Sequence, residues 1–203
     1  VNGIANGLST PKLADYNADG VADYAYAGDL QGNLWRFDLL RNGRSDTAPF
    51  TTEDDSENAI DDFEVAFGGQ PLFSAVANTG TKGRQPITSA PSLVLHPTGF
   101  GYLVVFGTGK FFETGDKEGD KIFAQTVYGI WDKQTLGEEA SDPNIARSSL
   151  QEQTITTQTT VEANGTTRQA LVLSNNNVSW QGSDTQAAQN GWFLNLRKSQ
   201  GEM

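Results

Sequence analysis

Apolar residues along this chain recur in short runs with alternating character, not in the three-and-four spacing of an amphipathic helix. The pattern predicts strands over residues 22–27, 32–39, 63–67, 72–77, 86–95, 101–106, 126–132, 151–161, 168–174 and 192–196. Gly, Pro, Asn, Thr and Ser fill the intervals, as turns require. Helix signals are nearly absent. Many short strands without helices give an all-β fold, which means a sandwich, a barrel or a propeller.

Internal repetition selects the propeller. Tyr24-Ala25-Tyr26-Ala27-Gly28-Asp29 followed by Leu34-Trp35-Arg36-Phe37-Asp38 returns loosely as Val104-Val105-Phe106-Gly107-Thr108 followed by Tyr128-Gly129-Ile130-Trp131-Asp132, with an echo in Gly191-Trp192-Phe193-Leu194-Asn195-Leu196. Each unit is an apolar strand closing on Gly, a connection, then an aromatic-bearing strand closing on Asp or Asn, as in a four-stranded propeller blade. The expected division is a first blade over about residues 11–78, a second over about 85–161 and the start of a third over about 166–203. Two to three blades are fewer than a closed propeller needs, so the chain reads as a segment of a larger one. Trp35, Trp131 and Trp192 fall at matching blade positions and are expected to pack between blades.

Charge and composition narrow the chemistry. With 25 acidic against 14 basic residues and a formal charge of -11, the chain repels polyphosphate and offers no basic groove for nucleic acid. It has no cysteine, which removes disulfides, thiolate metal sites and thiol nucleophiles. The longest apolar run, near residues 101–107, is far shorter than a membrane helix, and no signal-like segment opens the chain, as expected of a fragment or a mature protein.

One loop carries a definite chemical pattern. Asp15-Tyr16-Asn17-Ala18-Asp19-Gly20-Val21-Ala22-Asp23 places side-chain oxygens of Asp15, Asn17, Asp19 and Asp23 at positions 1, 3, 5 and 9 of a calcium loop. Gly20 stands where the sharp turn is needed, and the Val21 carbonyl is the backbone donor at position 7. A hard cation takes six to eight oxygens, and carboxylates crowded in this way repel one another unless a cation neutralises them. Tyr26 occupies position 12, where helix-flanked loops carry a bidentate Glu, so this loop runs into a strand with Asp23 ligating directly, as in integrin-like propellers. Calcium is favoured over magnesium because the loop is oxygen-rich, flexible and lacks any small octahedral arrangement.

Other clusters are weaker. The acidic run Glu53, Asp54, Asp55, Glu57, Asp61 and Asp62 has no ligand spacing and reads as a solvated loop, whereas Glu113, Asp116, Glu118 and Asp120 alternate in a way that could build a second ion site. His96, the sole histidine, precedes Pro97 in a turn and reads as structural. No Gly-x-Ser-x-Gly, Walker or zinc signature occurs, so a non-enzymatic module is expected. The rivals are a quinone-dependent dehydrogenase propeller and an integrin-like adhesion propeller of an unrelated surface protein.

The stretch from Ala14 to Leu39, the run Val105-Phe106-Gly107-Thr108-Gly109-Lys110-Phe111-Phe112, and Gly191-Trp192-Phe193-Leu194-Asn195-Leu196 together resemble the PilC/PilY family of type IV pilus biogenesis proteins and tip adhesins. The resemblance implies a bacterial envelope protein at the outer membrane, cell surface or pilus tip, with pilins and minor pilins as partners and possible contact with host or abiotic surfaces. It implies that calcium occupancy regulates pilus extension, retraction and attachment, with ligands carried onto Asp15, Asn17, Asp19, Val21 and Asp23. The family's N-terminal adhesive region has no counterpart in this chain.

Overall fold

The alternating runs become strands, and strand pairing sorts them into three sheets. The computed structural model describes residues 5–16, 18, 20–39, 63–76, 83–117, 125–133, 143 and 145–196. The first sheet contains β1 (Lys12–Ala14), β2 (Tyr24–Gly28), β3 (Asn33–Asp38), β4 (Glu64–Val65) and β5 (Phe73–Ser74), ordered β1-β2-β3 with β4 and β5 both antiparallel to β3. The second contains β6 (Ser92–Leu95), β7 (Tyr102–Gly107), β8 (Thr126–Asp132), β9 (Gln151–Gln153) and β12 (Gly191–Asn195), in the order β6-β7-β8-β12-β9. A separate ribbon pairs β10 (Ile155–Ala163) with β11 (Thr166–Leu173). Residues 66–69 form one turn in which Phe67 and Gly68 are left-handed, and no helix among the described residues could cross a membrane.

The interior lies where the two larger sheets meet. Tyr24, Tyr26, Leu34 and Phe73 from the first pack with Tyr102, Val104, Phe106, Tyr128, Ile130 and Phe193 from the second. Pleat alternation turns every second side chain inward, so Tyr128 and Ile130 are buried while Val127 faces away. The ring centroids of Phe73 and Tyr128 stand 5.0 Å apart and those of Phe106 and Tyr128 5.4 Å.

Arg36 crosses this interface as a buried cation. Its Nε donates to Asp38 at 2.7 Å and its Nη1 to Asp132 of the second sheet at 3.0 Å, while Tyr26 Oη donates to the same Asp132 at 2.8 Å. Phe67 and Tyr24 lie against the guanidinium, 4.4 and 4.9 Å from ring centroid to Cζ. Burial pushes the Asp38 carboxyl above its ordinary range; the charge and hydrogen bonds of Arg36 oppose the rise and the Asp132 charge adds a little to it.

Several strand assignments differ from the sequence pattern: the strand expected over 63–67 ends at Val65 in the turn, and of 86–95 only Ser92–Leu95 is strand. Residues 151–161 divide: β9 lies parallel to β12 at the sheet edge, and β10 leaves to pair with β11. The Trp192 strand does not open a new sheet but pairs antiparallel with β8, Trp192 opposite Gly129. The reason is steric, since a Cβ at Gly129 would come within 2.6 Å of the Trp192 ring, so only glycine lets this indole lie over the strand. The three blade tryptophans also lie outside the interior cluster. Trp35 donates its Nε1 to Asp29 at 2.8 Å, and Trp131 stacks on His96.

His96 is buried among aromatic rings. Its ring stacks nearly parallel to Trp131 at 3.8 Å and meets Trp180 edge-on at 4.3 Å. Nδ1 lies 2.8 Å from Thr98 Oγ1 and 3.3 Å from Thr98 N, and Nε2 is a buried atom with no hydrogen-bond partner. Burial, followed by the charge of Lys133, lowers the pKa of this imidazole. A folded pKa below the unfolded value means that the unfolded chain takes up the proton first, so stability is lost as pH falls below about 6.5. We expect thermal melts between pH 7.5 and 5.5 to decline by no more than one proton's slope, about 1.4 kcal/mol per pH unit, and the decline to flatten in His96→Gln. Equal slopes in the two proteins would move the acid sensitivity to other groups.

Candidate metal centre

The loop over residues 15–23 joins β1 to β2, and its ends are set by the sheet. Ala14 pairs with Tyr24 as the last register position, so Asp15 and Asp23 follow as facing residues where the strands part. Asp23 N–H donates to Ala14 O at 2.8 Å, and Tyr16 N–H donates to the buried Asp23 carboxylate at 2.6 Å. Across the loop, Gly20 N–H donates to Asp15 Oδ2 at 2.9 Å. Gly20 has φ +93° and Ala18 φ +63°, so the chain reverses in the left-handed region, with glycine at the more open angle as the spacing requires.

The second sheet closes one side. Tyr102 Oη donates to the Asp15 carbonyl and Gly101 N–H to Tyr16 Oη, each at 3.2 Å, and the two rings meet edge to face at 5.4 Å. Burial raises the pKa of the Tyr102 phenol, and the charges of Asp23 and then Asp15 add to the rise, which places both carboxylates near one ring.

Of the five expected ligands, Asp15, Val21 and Asp23 are described; Asn17 and Asp19 lie outside the described residues. Two carboxylates brought together by a loop that folds backbone N–H groups onto them form a hard, anionic oxygen set, which fits a hard divalent cation and does not fit a soft one. Among the described residues no three His, Cys, Asp or Glu side chains converge; the third acidic residue that the loop's spacing calls for, Asp19, lies outside them.

The alternative sites differ in kind. Asp116 accepts the N–H groups of Phe112 and Glu113, and Lys110 pairs with Glu113 at 2.8 Å and Asp116 at 3.2 Å, so those carboxylates brace a turn and hold an ammonium. Glu118 and Asp120 lie outside the described residues, as does the acidic run from Glu53 to Asp62. Sequence reasoning missed Asp29, a fully buried carboxylate that accepts Asn6, Gln31, Asn33 and Trp35 donors at 2.8 to 3.0 Å. Burial would raise this carboxyl, but the hydrogen bonds, led by Asn6 and Trp35, outweigh it and hold the pKa low. Its signal was the Asp-x-x-Gly-Asn turn between two strong strands.

Comparison with known proteins agrees with this architecture. The family model for the PilY1 beta-propeller domain matches residues 1–168. The type IV pilus biogenesis factor PilY1 of Pseudomonas aeruginosa PAO1 is 52% identical over 96% of this chain and 17% of its own length, and that of strain UCBPP-PA14 is 48% identical over 99% and 18%. A PilY1 homolog of Xylella fastidiosa is 34% identical over 63% of this chain and 8% of its own length. The crystal structure of the Pseudomonas aeruginosa PilY1 C-terminal domain superposes with a TM-score of 0.85 at 51% identity, covering 97% of this chain and 40% of that one. The chain thus spans less than a fifth of the length of the curated relatives named here. The non-enzymatic expectation agrees with a family of pilus biogenesis factors. With an all-β structure, matched sheets and a family model covering most of its length, the chain belongs to the PilY1 beta-propeller domain family.

Proposed function

We propose that this domain is a calcium-dependent structural and interaction module of a type IV pilus biogenesis protein, with Asp15, Asn17, Asp19, the Val21 carbonyl and Asp23 holding the ion. The observation that carries the reading is the facing pair Asp15 and Asp23, each carboxylate drawn into the loop by a backbone N–H. Calcium would neutralise the clustered carboxylates and tie β1 to β2; the chain's own residues supply oxygens and a closed loop, and no reaction follows. Occupancy then regulates pilus extension, retraction and surface attachment, with pilins and minor pilins as partners in the cell envelope. The first blade spans about residues 11–78, and the pairing of β12 with β8 supports closing the second blade at β12 instead of opening a third at 166.

Asp19→Ala is the discriminating variant, because Asp23 also holds Tyr16 and its removal would mix structural with ionic effects. Calorimetry of the chain is expected to show about one calcium bound, and at least a tenfold loss of affinity in Asp19→Ala, the effect of removing a charged ligand with no substitute in the loop. In the full-length parent the same change is expected to alter surface piliation or twitching at unchanged envelope protein level. Undiminished calcium binding by Asp19→Ala removes the ligand assignment, and normal pili with binding abolished removes the regulatory role.

A further inference from the structure

The ion loop is built by the first sheet and held from the second. Tyr102, the first residue of β7, reaches the Asp15 carbonyl, and Gly101 beside it reaches Tyr16 Oη. These two residues end a turn that is itself anchored at several points. His96 N–H donates to Gly101 O at 3.0 Å, Gly99 N–H donates to His96 O at 2.7 Å, and Trp131 Nε1 donates to Phe100 O at 2.9 Å. The His96 ring is clamped by Trp131 and Trp180. A short chain of contacts therefore runs from Asp15 through Tyr102 and Gly101 to His96; the side chains of the turn between them are exposed, and its backbone is tied by the His96 bonds to Gly99 and Gly101.

We propose that Tyr102 is a positioning residue for the ion loop: its hydroxyl fixes the Asp15 end from the neighbouring sheet, so that ion occupancy and the state of the His96 turn are coupled. The proposal rests on the calcium reading of the loop. Its chemistry is modest at each step. A phenol O–H on the Asp15 carbonyl sets the direction of the residue whose carboxylate stands at the first ligand position, and the Tyr16 ring packs against the Tyr102 ring on the same side. When an ion draws the carboxylates inward, the Asp15 backbone moves with its side chain, and Tyr102 carries that displacement into the turn. Coupling of this kind is reciprocal, so a change at the turn alters ion affinity by the same factor.

The test compares the chain with its Tyr102→Phe variant, using calcium and, as a luminescent substitute excited through the nearby tyrosines, terbium. Loss of one neutral hydrogen bond predicts a three- to tenfold weaker Kd. The second readout is the imidazole C–H resonance of His96, unambiguous because the chain has 1 histidine. Recorded at constant pH 7.5, it is expected to shift when calcium saturates the parent chain and to lose at least half of that shift in Tyr102→Phe. A hydroxyl that served only folding would lower the melting temperature equally with calcium and with chelator, and would leave both the Kd and the His96 response unchanged. That result overturns the proposal while the loop assignment stands. If the parent chain binds no calcium, the loop assignment falls and the proposal with it. Should Tyr102→Phe fail to fold, Tyr16→Phe removes the acceptor of Gly101 N–H without touching the second sheet, and the same loss of the His96 response is expected; a full response there overturns the coupling.

Discussion

Replacing Arg36 by alanine is expected to cost about 3–5 kcal/mol of folding free energy, because it leaves the buried Asp132 carboxylate without its cation. Arg36 is 2% exposed and Asp132 1%, so water cannot take over the lost interaction without opening the contact between the sheets. Tyr26 Oη would still donate to Asp132, which compensates only in part, since a neutral donor does not offset a buried charge. In a chain of this size 1 kcal/mol is about 2–4 °C, so the melting temperature should fall by about 10 °C. Arg36→Lys should recover little, because an ammonium cannot bridge Asp38 and Asp132 as the planar fork does. Combining Arg36→Met with Asp132→Asn should restore only part of the loss, because Asp38 is still left without its cation, and the double-mutant cycle measures the Arg36–Asp132 coupling. A loss below about 1 kcal/mol for Arg36→Ala would mean that the two sheets do not depend on this ion cluster.

Arg36 also shows where sequence periodicity reached its limit. In Leu34-Trp35-Arg36-Phe37-Asp38 alternation is plain, and it places Leu34, Arg36 and Asp38 on one face and Trp35 and Phe37 on the other. Hydropathy alone turns the Trp35 face toward the neighbouring sheet. The structure turns the Arg36 face there, because Asp132 of β8 supplies the partner that makes burial of a guanidinium tolerable. No local pattern reveals a partner that distant in sequence. The same limit explains β12: its strand character was legible, but its place between β8 and β9 depends on Gly129 leaving room for Trp192. Strands β2, β3, β7 and β8, by contrast, follow from runs strong enough to stand without tertiary knowledge.

The outline of the loop was legible in the sequence. Calcium-loop spacing is a local property, and the loop's ends and its left-handed turn at Gly20 lie where that spacing puts them. What spacing could not reveal is the second sheet's part in the site. Tyr102 and Gly101 reach Asp15 and Tyr16 only because β1 and β6 come together as the sheets pack. At Asp116 the same alternation of acidic residues accompanies a different role, since one carboxylate there caps a turn and holds a lysine.

Calcium is expected to raise the melting temperature of the chain by about 5–10 °C, and chelator to reverse the rise. An ion that binds the folded loop and not the unfolded chain stabilises by RT ln(1 + [L]/Kd), about 2.7 kcal/mol at a hundredfold excess over Kd. The unfolded chain cannot compete for the ion, because Asp15 and Asp23 come together only when Ala14 pairs with Tyr24. Without the ion, the facing carboxylates depend on the N–H groups of Gly20 and Tyr16, and mutual repulsion works against closing the loop. The effect should therefore grow as calcium rises above Kd, by about 1.4 kcal/mol for each further tenfold, and magnesium at equal concentration should give less because it holds its water more tightly. At the same calcium concentration the rise should be smaller in Asp19→Ala, by about 1.4 kcal/mol for each tenfold loss of affinity, until it vanishes. Superimposed melting curves for the parent chain with calcium and with chelator, at concentrations where calorimetry shows the ion bound, would mean that binding does not brace β1 against β2.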